Sequence, residues 1–149
     1  MSINPFFKGF PGFDHDPTAG VCAEFQRISQ HRKWKQGSKK WRKNWDACIT
    51  AEYDRLIGIR VTSLATWQQI CKKLGLKGLF TSITKCKKAL CRVHVNLVDL
   101  LDCWEGEQGP QIFRTLSALR NYTKRTNRFF NKKAAKQDPV LRILLRELL

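Results

Sequence analysis

Apolar positions recur along most of this chain at helical spacing. Val21, Cys22, Phe25 and Ile28 lie three and four residues apart and predict a helix from Asp16-Pro17-Thr18 to about Arg32. Gln36-Gly37-Ser38 breaks the pattern. Trp41, Trp45, Cys48, Ile49, Tyr53, Leu56 and Ile57 then form a second stripe, with Ser38 as N-cap and Gly58 at its end. Ser63 opens a third helix carrying Leu64, Trp67, Ile70, Cys71 and Leu74, closed by Gly75. Ser82 opens a fourth, with Ile83, Cys86, Leu90 and Val93. Asn96 caps a fifth bearing Leu97, Val98, Leu100 and Leu101, so Val93-His94-Val95 reads as a bend or a short extended piece. Ile112, Phe113, Leu116, Leu119 and Tyr122 mark another helix, after which Phe129-Phe130 pack back on the body. Asp138-Pro139 gives an N-cap and first-turn proline for the last one. Its apolar ring from Val140 to Leu149 is nearly complete, which predicts burial on two sides or contact with another chain. No alternating strand and no repeat stands out. The pattern predicts an all-α fold, a compact bundle of about six or seven helices.

Residues 1–16 do not fit that pattern. Phe6, Phe7, Phe10 and Phe13 alternate with Pro5, Pro11 and Gly12, a composition that is not helical. The expectation is an extended arm lying along a single helical domain over 17–149, with some rings buried. A docking strip for a protein partner is the alternative use of the same rings.

Charge is the most informative feature of the composition. The 149 residues carry 28 Lys and Arg against 12 Asp and Glu, a formal charge of +16. Such a surplus opposes folding by self-repulsion and calls for a partner or a solubility role. Three acid-free blocks, Arg27 to Lys43, Lys72 to Arg92 and Arg120 to Lys136, hold 22 of the cations, and ten of the acids lie in clusters before and between them. Ordinary surfaces mix both signs. The blocks therefore point to a polyanion, DNA or RNA. A membrane partner is disfavoured, because the apolar faces are committed to a core and no apolar run is long enough to span a bilayer.

The first block offers Arg32, Lys33, Lys35, Lys39 and Lys40 to phosphates, with Trp34 between them. Trp41 and Trp45 share the core stripe and are structural. Trp34 lies outside it and is expected to be exposed, free to stack on an unpaired base. In the second block Lys85, Lys88 and Arg92 are spaced to share one helix face, with Lys77 in the preceding link and Ser82 at a helix N-terminus that favours a phosphate. The third block adds Lys124 and Arg128, and Arg125 to Lys133 can double as a nuclear import signal.

Catalytic and metal signatures are missing. There is no phosphate-binding glycine loop, GxSxG, HExxH or CxxC. Cys22, Cys48, Cys71, Cys86, Cys91 and Cys103 each sit where a small apolar residue would serve, and read as buried thiols in a reducing compartment. Cys86, Cys91 and His94 lack the second ligand pair of a structural zinc site. Asp99 and Asp102, one turn apart beside an N-cap, read as helix-dipole partners. No cofactor is called for and no enzyme activity is expected.

The stretch Trp67-x2-Ile70-Cys71-x2-Leu74-Gly75-Leu76, then Ser82-Ile83-x2-Cys86-Lys87-Lys88-x-Leu90, then Val93-His94-Val95-Asn96-Leu97-x-Asp99-Leu100, resembles a group of small uncharacterised proteins of filamentous ascomycete fungi. The likeness spans most of the chain and implies a helical fold and a fungal origin, with no activity attached. More distantly, the order Ile57-Gly58, Val61, Trp67, Ile70, Leu74, with Ser82 opening a basic helix, is similar to the ARID family of helical DNA-binding domains. That likeness implies DNA contact by the loop Leu76 to Thr81 and the helix Ser82 to Arg92. The chain departs from the family in having Ile59 in place of a second glycine, and Leu101-Asp102 in place of the closing Tyr-Glu pair.

The sequence thus predicts an intracellular, nuclear domain that binds nucleic acid mainly through the phosphate backbone. The rival expectation is a protein-interaction module, using the Phe arm or pairing two copies through residues 140–149.

Overall fold

The computed structural model describes residues 2–58, 62–131, 133 and 138–144. Its elements are α1 (Val21–His31), α2 (Lys39–Leu56), α3 (Leu64–Lys73), α4 (Ile83–Leu90), α5 (Leu97–Asp102), α6 (Leu116–Thr126) and α7 (Pro139–Leu144), preceded by a 3-10 turn at Pro5–Gly9. Two strands of two residues each, β1 (His94–Val95) and β2 (Ile112–Phe113), pair antiparallel with His94 opposite Phe113 and Val95 opposite Ile112. The fold is all-α. Among the described residues no helix is long and apolar enough to cross a membrane.

Side-chain caps set most of the helix starts. The Ser38 hydroxyl oxygen accepts from the Trp41 N–H at 3.2 Å, Ser82 from Lys85 at 3.2 Å, and Asn96 from Asp99 at 3.1 Å. Asp138 does more: one carboxylate oxygen accepts from Val140 N–H, Leu141 N–H and the Tyr53 hydroxyl, the last at 2.7 Å. It therefore pins α7 to α2. Burial and this carboxylate push the Tyr53 phenol far above its ordinary pKa.

Four elements differ from the periodicity. The first helix begins at Val21, not at Pro17, because Asp16 accepts from the Thr18 N–H and hydroxyl and holds a turn there. Asp102, at the far end of α5, then accepts from the Cys22 N–H at 3.0 Å, so it serves the N-terminus of α1 and not that of its own helix. Ile112 and Phe113 are strand, not helix: Thr115 caps α6 by accepting from Ala118, and the two residues before it pair with β1. The fourth helix stops at Leu90 with Cys91 as its C-cap, which leaves Val93 and Arg92 beyond it.

The core is aromatic at one end and aliphatic at the other. Phe25 meets Trp41 and Trp45 edge-on at 5.4 and 5.2 Å, and the two indoles stack at 5.3 Å. Trp67, Ile70, Cys71, Cys86, Leu90, Leu97, Leu100 and Leu141 fill the rest. The N-terminal segment is not an extended strip. It turns at Pro5–Gly9, buries Phe7, packs Phe6, Phe10 and Phe13 on the core, and ties Asn4 to the Cys48 carbonyl at 3.1 Å. Phe130 packs on Tyr53 at 5.9 Å, whereas Phe129 is exposed, under the Arg42 guanidinium.

Val140 and Leu141 are buried in this chain's own core, so the start of the apolar last segment is not an open face; residues 145–149 lie outside the described residues. All six cysteines are free thiols. Cys48, Cys71 and Cys86 are buried, Cys22 and Cys103 are half-buried, and Cys91 is exposed, because α4 has ended before it. Burial pushes the Cys71 thiol up to about 12 and keeps it protonated.

Candidate nucleic-acid interface

The carboxylates of this protein are largely turned to internal work. Glu24, buried, accepts from His15 at 2.7 Å, from the Asp16 N–H at 2.9 Å and from Arg27. Burial alone would raise its pKa, but these donors outweigh it and hold the carboxyl below its ordinary value. Glu52 and Glu105 share Arg55, at 2.8 and 2.9 Å. Asp99 pairs with Arg128, Asp102 caps α1, and Asp138 caps α7. Glu24, Glu52, Asp99, Asp102 and Asp138, five of the 12 acids, are therefore fixed within the fold. The cations are distributed the other way. Nineteen Lys and Arg are exposed among the described residues, against five exposed carboxylates: Asp14, Asp16, Asp54, Glu105 and Glu107.

Two of the cationic blocks meet. Arg42, in α2, bonds the Asn127 side chain at the end of α6, and the Trp45 indole N–H donates to the Phe129 carbonyl at 2.9 Å. The Arg42 guanidinium lies over both the Trp41 and Phe129 rings, at 4.9 and 5.5 Å. Its Nη1 is buried without an acceptor, the single such side-chain atom among the described residues. Asn127 takes a left-handed conformation (φ +60°) that ends α6 at this contact.

Of the predicted contacts, Arg32, Lys33, Lys35, Lys39 and Lys40 are exposed around the α1–α2 turn, and Lys124 is exposed on α6. Two others need correction. Trp34 is not exposed. It retains 8% of its surface, packed against Phe25 and Phe10 at 6.0 and 5.5 Å. Arg128 is half-buried and paired with Asp99, while its own carbonyl accepts from Asn96 at 3.1 Å. It works inside the fold, and neighbouring anions keep its pKa above the ordinary value despite burial. Burial and the same Asp99 carboxylate push the Tyr122 phenol up to about 12.

The second block forms its own face on the α3–α4 pair. Lys77 and Lys88 are exposed, and Lys85 is exposed with its ammonium donating to Thr81 at 2.9 Å. Lys87 lies over the Trp67 ring at 5.4 Å. Arg92 is exposed but sits in the turn after α4, not on the Lys85–Lys88 face. The Ser82 hydroxyl caps α4 by accepting from Lys85, so it serves the helix first.

Between the first and third blocks lies a cleft of about 380 Å³, floored by Phe25, Trp34, Trp41 and Trp45 and edged by glutamines and Thr126. Spacing could not reveal it, because its walls come from helices about 90 residues apart in the chain. Among the described residues no three His, Cys, Asp or Glu side chains converge as a metal site would need. Comparison of the chain with protein-family models, with curated proteins and with solved structures finds no match.

Proposed function

We propose that this protein binds nucleic acid, chiefly by phosphate contacts from exposed cations on the α1–α2 turn and α6, with Lys77, Lys85, Lys88 and Arg92 as a second contact face. The observation that carries this is the sorting of charge. Glu24, Glu52, Asp99, Asp102 and Asp138 are committed to partners inside the fold, while nineteen cations remain exposed. A surface so sorted repels itself, and a polyanion relieves that repulsion by exchanging protein–phosphate contacts for released counterions. Proteins of this kind act where nucleic acid is, and the nucleus is the compartment the reading implies.

The test is a parallel titration of mixed-sequence DNA, RNA and anionic lipid vesicles at low salt. Replacing Lys35, Lys39 and Lys40 by Glu is expected to weaken nucleic-acid binding by an order of magnitude or more without lowering thermal stability. Preferential binding to vesicles, or unchanged affinity in the triple variant, contradicts the reading.

A further inference from the structure

The cleft between α1, α2 and the end of α6 has a lining that phosphate binding does not use. Its floor is aromatic, with Phe25, Trp34, Trp41 and Trp45 each contributing. Its rim carries the amides of Gln26, Gln30 and Gln36, none of which bonds a described residue. The Trp45 indole N–H is taken by the Phe129 carbonyl, but those of Trp34 and Trp41 have no partner and are not sealed from solvent. Lys33 and Lys35 flank Trp34 in the chain, and Lys124 and Arg125 precede Thr126 at the opposite wall; all four are exposed.

We propose that this cleft takes one unpaired base of a single-stranded nucleic acid. The ring lies against the part of the floor that Trp34 leaves open, since Trp45 and Arg42 already cover Trp41, and its polar edge faces the Gln26, Gln30 and Gln36 amides. The inference rests on the phosphate-binding reading above and adds to it the class of nucleic acid preferred. Three features select this occupant. An apolar ligand would leave three amides and two indole N–H groups without partners, at a cost that a planar ring with donors and acceptors avoids. A base in a strand brings a phosphate on each side, and the exposed Lys33 and Lys35, the chain neighbours of Trp34, are there to meet one. A base within a duplex is stacked and has its polar edge paired, so it cannot enter without being extruded. The protein therefore prefers single strands.

The experiment compares an oligothymidylate of about 15 nucleotides with a duplex of the same length, by fluorescence anisotropy at one low salt concentration. Gln30 is exposed on α1, so Gln30→Trp fills the cleft without touching the core or the charge. Gln26→Ala/Gln30→Ala removes the amides instead and guards against an effect of bulk on folding. The single strand is expected to bind more tightly than the duplex. Gln30→Trp is expected to lose about tenfold in single-strand affinity, within the range for one base–aromatic contact, with duplex affinity unchanged. The double alanine variant is expected to lose less in the same direction. Equal binding of both nucleic acids, unaffected by either variant, overturns the base site and leaves phosphate binding standing. Absence of binding to both overturns the two readings together.

Discussion

The backbone N–H of Trp34 donates to the carbonyl of Ser29 at 2.8 Å, and that bond turns the indole back onto the helix it follows. Lys33, between them, donates to the Gln30 carbonyl at 3.2 Å and sits at φ +59°. The two bonds and the left-handed residue form a Schellman ending. The chain makes the same ending after α3, where Gly75 at φ +73° donates to Lys72 and Leu76 donates to Cys71, both at 3.0 Å. At α3 a glycine occupies the left-handed position; at α1 a lysine does.

Lys33→Gly is accordingly expected to stabilise the protein. Relief of left-handed strain outweighs the extra chain entropy that glycine carries, by about 0.5 kcal/mol. Urea unfolding checks this: the midpoint rises with the slope unchanged, and Trp34 stays as shielded from quencher as before. A fall in the midpoint would mean that the turn is not held in this form.

Arg128→Ala is expected to cost about 2 kcal/mol of stability, a partly buried ion pair being worth less than the 3–5 of a fully buried one. It leaves the Asp99 carboxylate, 9% exposed, without its guanidinium. Lys124→Ala, one turn earlier and exposed, is expected to change stability by less than about 0.5 kcal/mol. Equal effects of the two in thermal melts would put Arg128 back on the surface.

The Glu24 carboxyl has a lowered pKa in the folded chain, so the unfolded chain binds its proton more readily. Its contribution to stability is complete above the unfolded value, near 4.5, and is lost as pH falls through the lower folded value. Wild type minus Glu24→Gln isolates that contribution, since Asp46 and Asp54, whose pKa values burial raises, are common to both proteins. The variant is expected to be less stable at pH 7, with the gap narrowing by about pH 3. A gap independent of pH would show that the His15, Arg27 and Asp16 N–H contacts do not favour the charged form.

Periodicity and caps revealed what is local. The stripe from Trp41 to Ile57, the serine caps at 38 and 82, Asn96 and Asp138-Pro139 all act within a few residues, and the helices form where those signals stand. The misreadings arise where a distant residue decides. Asp102 caps a helix 80 positions away, and Val95 draws Ile112 into a strand. Trp34 lies outside the helical stripe, yet a turn with no glycine to announce it folds the ring inward. The cationic blocks are plain in the sequence. The partners that occupy the acids, Asp99 with Arg128 or Asp138 with Tyr53, are 29 and 85 residues apart, so only the fold reveals which sign of charge stays outside.

The most direct measurement is the affinity of the intact protein for a single-stranded oligonucleotide as salt rises from about 50 to 200 mM. Contact with about six phosphates is expected to lower the binding constant by about 300-fold over that interval, linearly on logarithmic axes. No binding at the lower salt, or an affinity indifferent to salt, would contradict the account.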